Sequence, residues 1–171
     1  MGLKFDAPYP SLDGITEDYQ TLRLVSPAYA GREGELTATL QYVYQSIFLG
    51  ANGMQKESKL LLDIAVTEMH HIQILGTLIT KLGAPPVFTS CPPYPVGFYS
   101  ASYVNYVKNP VGMIGADIIA ERSAIAEYHR ILGSLNNQKV YDVIERIIED
   151  EKVHVAALEK LFGELKENEN C

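Results

Sequence analysis

Cysteine is nearly missing from this 171-residue chain: only Cys91, in a proline-rich segment, and Cys171, the last residue, occur. Two isolated thiols exclude a disulfide framework, and with no Cys-x-x-Cys pair they exclude a zinc or iron–sulfur site of that kind. This usage fits a reduced, cytoplasmic setting. Positive charge is scarce too. Fourteen Lys and Arg stand against 21 Asp and Glu, a formal net charge of −7, and the basic residues do not cluster. Nucleic acid and an anionic membrane surface are therefore not the expected partners. Apolar runs long enough for targeting or spanning are absent as well. Met1 to Asp6 has no apolar signal core and no Ser or Thr at the sixth position, so nothing there marks export or myristoylation. Residues 36–55 carry no charge, yet Thr37, Thr39, Gln41, Gln45, Ser46, Asn52 and two glycines make them too polar to cross a membrane. They read as a helix with little solvent exposure, packed on a bundle on one side and on a second subunit on the other. A homo-oligomer, dimer or larger, is the expectation.

At 47% hydrophobic, the chain can build one sizeable core and is too short for two comfortable domains. Residues 1–25 read as an extended arm with a short helical turn, 26–162 as a helical bundle, and 163–171 as a polar, frayed tail. The first long helix is expected to start near Ser26-Pro27, a cap followed by proline at the first helical position, and to end near Gly50 to Gly53. Gly31 and Gly34 weaken its first turns. Helix two runs from about Glu57 to Leu82 and is closed by Gly83-Ala84-Pro85-Pro86. A long connection follows, rich in proline and then, from Tyr94 to Tyr106, in aromatic residues. Asn109-Pro110 caps helix three, which reaches about Gly133, and helix four extends to about Phe162. Short loops join the first and last pairs. The long middle connection suits a crossover from one end of a bundle to the other. The predicted fold is all-α, a four-helix bundle with one long crossover between helices two and three.

Two Glu-x-x-His tetrads interrupt the apolar faces of this bundle. One stripe reads Leu61, Ile64, Glu68, His71, Leu75, Leu78, Leu82, and another Val140, Ile144, Ile147, Glu151, His154, Leu158, Leu161. At a spacing of three, glutamate and histidine lie one turn apart on the same inward face. Two lone glutamates behave alike. Glu35 leads a stripe with Thr39, Tyr42 and Ser46, and Glu121 lies within Ile114, Asp117, Ile125, Tyr128 and Leu132. Four helices thus each send a carboxylate inward. Uncompensated burial of these charges would exceed a domain's stability of roughly 5–15 kcal/mol, whereas two divalent cations would neutralise them. Four carboxylates with two histidines match the ligand set of a carboxylate-bridged dimetal bundle.

The chain also repeats itself, since each half supplies one glutamate followed by one tetrad. These residues resemble the ferritin-like superfamily of dimetal carboxylate proteins across about residues 26–162. Gly34-Glu35-Leu36, with Tyr42 two turns on, and the interval from Glu121 to His154 look most like manganese catalases and the short ferritin-like proteins related to them. Rubrerythrins and bacterioferritins share the ligand logic. The resemblance implies two metal ions per chain, manganese or iron, with Glu35 and Glu121 as terminal or chelating ligands and Glu68 as a bridge. It gives His71 and His154 as one imidazole for each metal. Two roles are open for Glu151: in di-iron relatives the matching glutamate bridges, and in manganese catalases it lies outside the ligand set and can serve proton transfer. Asp150 and Tyr42 are candidates to orient the ligands, and Glu151 and Tyr42 are candidates for catalysis. His70 and His129 fall off the inward faces and read as surface residues. Asp117 reads as a carboxylate near a helix start. Met69 sits where bacterioferritins place a haem ligand, but nothing else suggests haem, and it reads as interfacial.

Such a centre would act on hydrogen peroxide or dioxygen. Catalase-like disproportionation needs only the site. Rubrerythrin-type peroxidase activity needs an external electron donor, because this sequence lacks the four-cysteine iron domain of full-length rubrerythrins. Ferroxidase or iron-binding activity of ferritin type is the alternative, as is a metal-retaining structural or coat protein. The donor set suits manganese and iron equally.

Overall fold

The computed structural model describes residues 2–91 and 97–169. Five α-helices are present among them: α1 (Tyr19–Ala30), α2 (Glu35–Ala51), α3 (Gln55–Lys81), α4 (Pro110–Leu132) and α5 (Gln138–Glu169). A short 3₁₀ turn at Ala101–Tyr103 lies between α3 and α4. Helices α2 to α5 are the four of the bundle. No described helix is long and apolar enough to cross a membrane.

The expected first helix is divided in two. Asp18, not Ser26, caps its start, accepting the N–H groups of Gln20 and Thr21 at 3.0 and 3.1 Å. Leu22, Val25 and Tyr29 form a buried stripe through Ser26-Pro27, so that pair lies within α1. The break comes at Gly31 to Gly34. A Cβ on Gly31 would lie 2.4 Å from the Pro27 carbonyl oxygen, and one on Gly34 would lie 2.5 Å from that of Ala28. Only glycine allows the chain to fold this tightly over the end of α1. The bend restarts the helix at Glu35 and aims that carboxylate from the first turn of α2.

The other boundaries follow from capping, with one exception. After α3 the Ala84 N–H bonds the Ile79 carbonyl at 3.1 Å, and Gly83 has φ +102°, a glycine-closed helix end. Asn109 caps α4 by accepting the Gly112 N–H at 2.7 Å. The exception is α5, which continues to Glu169 where a frayed tail was expected after Phe162. Leu165 is buried one turn beyond Leu161, which keeps residues 163–169 packed as helix.

Two apolar layers hold the bundle. One combines Leu22, Val25 and Tyr29 of α1 with Leu75 and Leu78 of α3, Tyr128 and Ile131 of α4 and Ile144 and Ile147 of α5. The other combines Tyr42 and Leu49 of α2 with Leu61 and Ile64 of α3, Met113 and Ile114 of α4 and Leu158 and Leu161 of α5. Helix α3 ends in the first layer and α4 begins in the second, so their connection joins opposite ends of the bundle. Of the aromatic segment expected there, Tyr94 lies outside the described residues. On α3, α4 and α5 the inward-facing acids and histidines fall in sequence between the two layers.

Candidate metal centre

Glu35, Glu68, His71, Glu121, Glu151 and His154 meet between these layers, each buried. Their donor atoms fall into two sets. Glu35, Glu68, His71 and Glu151 make one, and Glu68, Glu121, Glu151 and His154 the other, with the atoms of each set within 4.8 Å of one another. Glu68 and Glu151 belong to both. Glu68 reaches Nδ1 of His71 with one oxygen at 3.2 Å and Nδ1 of His154 with the other at 2.9 Å. Glu151 does the same at 3.3 and 3.1 Å. Glu35 approaches His71 at 3.4 Å and Glu121 approaches His154 at 3.7 Å.

This donor set fits two cations. Glu68 Oε1 and Glu151 Oε1 are fully buried and have no hydrogen-bond partner, although each lies near an imidazole nitrogen. Burial of carboxylate oxygens without a partner is costly, and shared cations would satisfy them.

The comparisons with known proteins agree. The family model described as manganese containing catalase matches residues 17–90. A "Probable manganese catalase" of Clostridium acetobutylicum is 23% identical over 168 residues, covering 88% of this chain and 73% of that protein. The "Protein CotJC" of Bacillus subtilis is 26% identical over 157 residues, 81% of each chain. Among solved structures, KatB, a manganese catalase from Anabaena, superposes with a TM-score of 0.81 at 23% identity, over 97% of this chain and 81% of that one. The bacterioferritin of Desulfovibrio desulfuricans does so with 0.72 at 22% identity, over 86% and 81%. The chain has the ferritin-like fold.

In this ferritin-like chain both histidines turn Nδ1 inward and Nε2 outward. Nε2 of His71 lies 3.1 Å from Asp150 Oδ2, and Nε2 of His154 lies 2.8 Å from the Leu3 carbonyl oxygen. Asp150 is itself held by Arg146 and the Phe5 N–H, both at 2.7 Å, and by the Tyr9 hydroxyl. Burial alone would raise Asp150, but the bonds from His71, Tyr9, Arg146 and Phe5 outweigh it and keep the carboxylate well below its ordinary range.

Two tyrosines hold the lone glutamates. The Tyr42 hydroxyl on α2 donates to Glu121 on α4, and the Tyr128 hydroxyl on α4 donates to Glu35 on α2. Burial first, and the facing carboxylates next, push both phenols well above their ordinary value, so they stay protonated donors. Tyr128 was seen in sequence only as a member of the α4 stripe. Its position two turns after Glu121, as Tyr42 is two turns after Glu35, was a usable signal.

The protons are distributed by position. Burial and the neighbouring carboxylates raise Glu35 and Glu121 well above the usual range. For both histidines burial favours the neutral ring, but the surrounding carboxylates prevail and raise them. Burial opposes ionisation of Glu68 and Glu151 too, yet a hydrogen bond from Glu35 and then the imidazoles keep Glu68 lowered, and the imidazoles keep Glu151 lowered. Without metal, these directions favour a proton on each imidazole facing ionised Glu68 and Glu151.

Asp117 does not sit near a helix start as expected. It lies two turns into α4, fully buried, where Gln41 and Gln45 donate to its Oδ1 at 2.7 and 2.9 Å. Burial outweighs those bonds and pushes it up to about 7. His70 and His129 are exposed, His70 packing edge-on against Tyr9 at 5.1 Å, and Met69 is 56% exposed on α3, away from the centre.

A cavity of about 1010 Å³ opens between α2 and α4. It reaches Glu35, Glu68, Glu121 and Glu151 together with Tyr42 and Tyr128, while Arg32, Glu33, Glu127 and Arg130 also line it. A small reactant arriving this way meets carboxylates and phenols, with the imidazoles behind them.

Proposed function

We propose that this chain is a dimetal oxidoreductase that consumes hydrogen peroxide by catalase-like disproportionation. Glu68 and Glu151 would span both metals, Glu35 with His71 would complete one and Glu121 with His154 the other. When bound, the pair would supply a two-electron redox change to peroxide reaching it through the cavity. The observation that carries the dimetal part of this reading is the meeting of two donor sets at Glu68, at the end of an open route. The manganese catalase match over residues 17–90 favours peroxide over other small reactants.

The chain's own groups would manage the protons. Glu151 faces the cavity and both histidines, which suits it to take a proton from an entering peroxide and return it to the departing oxygen. Tyr42 and Tyr128 would hold Glu121 and Glu35 in place and offer a hydroxyl on the cavity side. Cytoplasmic placement belongs to the same proposal. Exposed apolar stripes, Leu40 and Ile47 on α2 and Leu62, Val66 and Met69 on α3, favour a homo-oligomer joined along these helices.

A ferroxidase reading of ferritin type is the second one, favoured by the position of Glu151 across both donor sets. One set of assays separates them. Protein loaded with manganese or iron is given peroxide alone, and the expected outcome is half as much oxygen as peroxide consumed. Consumption only with a reduced donor protein would establish a peroxidase. Ferrous oxidation with retention far beyond two irons per chain would establish storage.

A further inference from the structure

The segment before α1 does more than trail across the bundle. Residues 2–9 lie on α3 and α5, whereas the cavity opens between α2 and α4. The Leu3 N–H bonds the Asp63 carbonyl at 3.0 Å, and the Leu3 carbonyl accepts the Thr67 hydroxyl at 2.8 Å. Gly2 is pressed so close that a Cβ there would lie 2.6 Å from Thr67 Oγ1 and 3.3 Å from the Thr67 backbone nitrogen. Farther along, the Arg146 guanidinium donates to the Phe5 and Ala7 carbonyls at 2.8 Å each and stacks 4.4 Å from the Tyr9 ring centre.

These contacts end on the two histidines. A carbonyl oxygen can only accept, so the Leu3 carbonyl requires the hydrogen of a neutral His154 to sit on Nε2, leaving the Nδ1 lone pair facing inward. Asp150 imposes the same tautomer on His71, and Asp150 is fixed by the Phe5 N–H and the Tyr9 hydroxyl. Outer partners of this kind typically change metal affinity about 10–100-fold.

We propose that residues 2–9 are a strap that completes the metal centre from outside, with Leu3, Phe5 and Tyr9 as positioning residues that set the tautomer of both histidines and hold the metals in. The proposal rests on His71 and His154 being metal ligands. It assigns a segment that contributes no residue to either donor set to the retention of both ions.

The test uses the whole chain loaded with manganese(II), then challenged with excess chelator while released metal is counted over time. Gly2→Val lifts the strap at Leu3 and should speed release of one metal about 10–100-fold, and Tyr9→Phe should speed release of the other. Deleting residues 2–9 should speed both, and adding a synthetic peptide of those residues should restore slow release. If the deletion does not fold, the two point variants decide alone. In zinc-loaded, nitrogen-15 histidine-labelled protein, His154 should carry its proton on Nε2, and Gly2→Val should lose that single state. Loss of stability without metal would not produce that signature. Release rates and histidine spectra unchanged in the point variants would overturn the strap. An unmodified protein that takes up no metal would instead overturn the dimetal reading.

Discussion

Tyr42 and Tyr128 are crossed partners: each stands two turns beyond its own helix's glutamate and hydrogen-bonds the glutamate of the other helix. The two halves of the chain therefore hold each other's buried glutamates. In the metal-loaded state both glutamates would be ionised, and a hydrogen bond to a buried charge is worth about 1.5–3 kcal/mol. Tyr42→Phe and Tyr128→Phe should each weaken one metal by about 10–100-fold and leave the other nearly unaffected. Equilibrium dialysis against a graded chelator measures this. Equal weakening of both metals by either variant would mean that the tyrosines act through the fold and not through their partners.

The second expectation concerns protons. Glu35, Glu121, His71 and His154 are all raised, and all four must give up a proton to act as ligands. Taking one from each, loading two divalent ions near neutral pH should release about four protons. Two dications would then face four carboxylates, and the site would stay neutral. Calorimetric titration with metal in buffers of different ionisation enthalpy counts the protons. Release near zero would show that the four groups are already deprotonated.

Stability without metal should depend on pH in a definite direction. Groups raised by folding bind protons more tightly than in the unfolded chain, so their contribution is lost as pH rises. That holds for Glu35, Glu121 and both histidines. Asp117 isolates the effect, since it is raised from 3.8 to about 7 by burial. Its contribution is complete below about pH 4 and gone above about pH 7. Asp117→Asn removes the titration and offers an amide beside the unpartnered Gln45 Oε1. The variant's advantage over the parent should grow from pH 4 to pH 7, to on the order of 4 kcal/mol, and then level off. Chemical denaturation of chelator-treated protein at several pH values checks it. A gap independent of pH would mean Asp117 is ionised throughout.

The sequence made the buried cluster legible because each of its members is a titratable residue in an apolar helical stripe, a contradiction that only pairing or metal resolves. Helix caps at Asn109 and after Leu82 were legible for the same local reason. The division of the first helix was not, because Ser26-Pro27 carries a start signal that the stripe of Leu22, Val25 and Tyr29 overrides. Leu3 could not be found by side-chain chemistry, since its contribution to His154 is a backbone carbonyl. Asp117 was misplaced because nothing local announces its partners, Gln41 and Gln45, which come from another helix.

Glu151 permits the most decisive substitution, because the two roles open for it predict different things. Its oxygens lie 3.3 Å from His71 Nδ1 and 3.1 Å from His154 Nδ1, matching the reach of Glu68, so a ligand shared by both metals is expected. Glu151→Gln keeps the volume and one oxygen but removes the charge that balances the cations. As a shared ligand, it should lower the affinity of both metals together, as Glu68→Gln should. Turnover per bound metal pair would fall as well, because Glu151 is also one of the four buried glutamates that line the cavity. Metal content and peroxide turnover are measured on one preparation across a range of free metal. If Glu151→Gln keeps both metals at parental affinity and loses only turnover, Glu151 is a proton carrier outside the ligand set. The two donor sets would then share Glu68 alone.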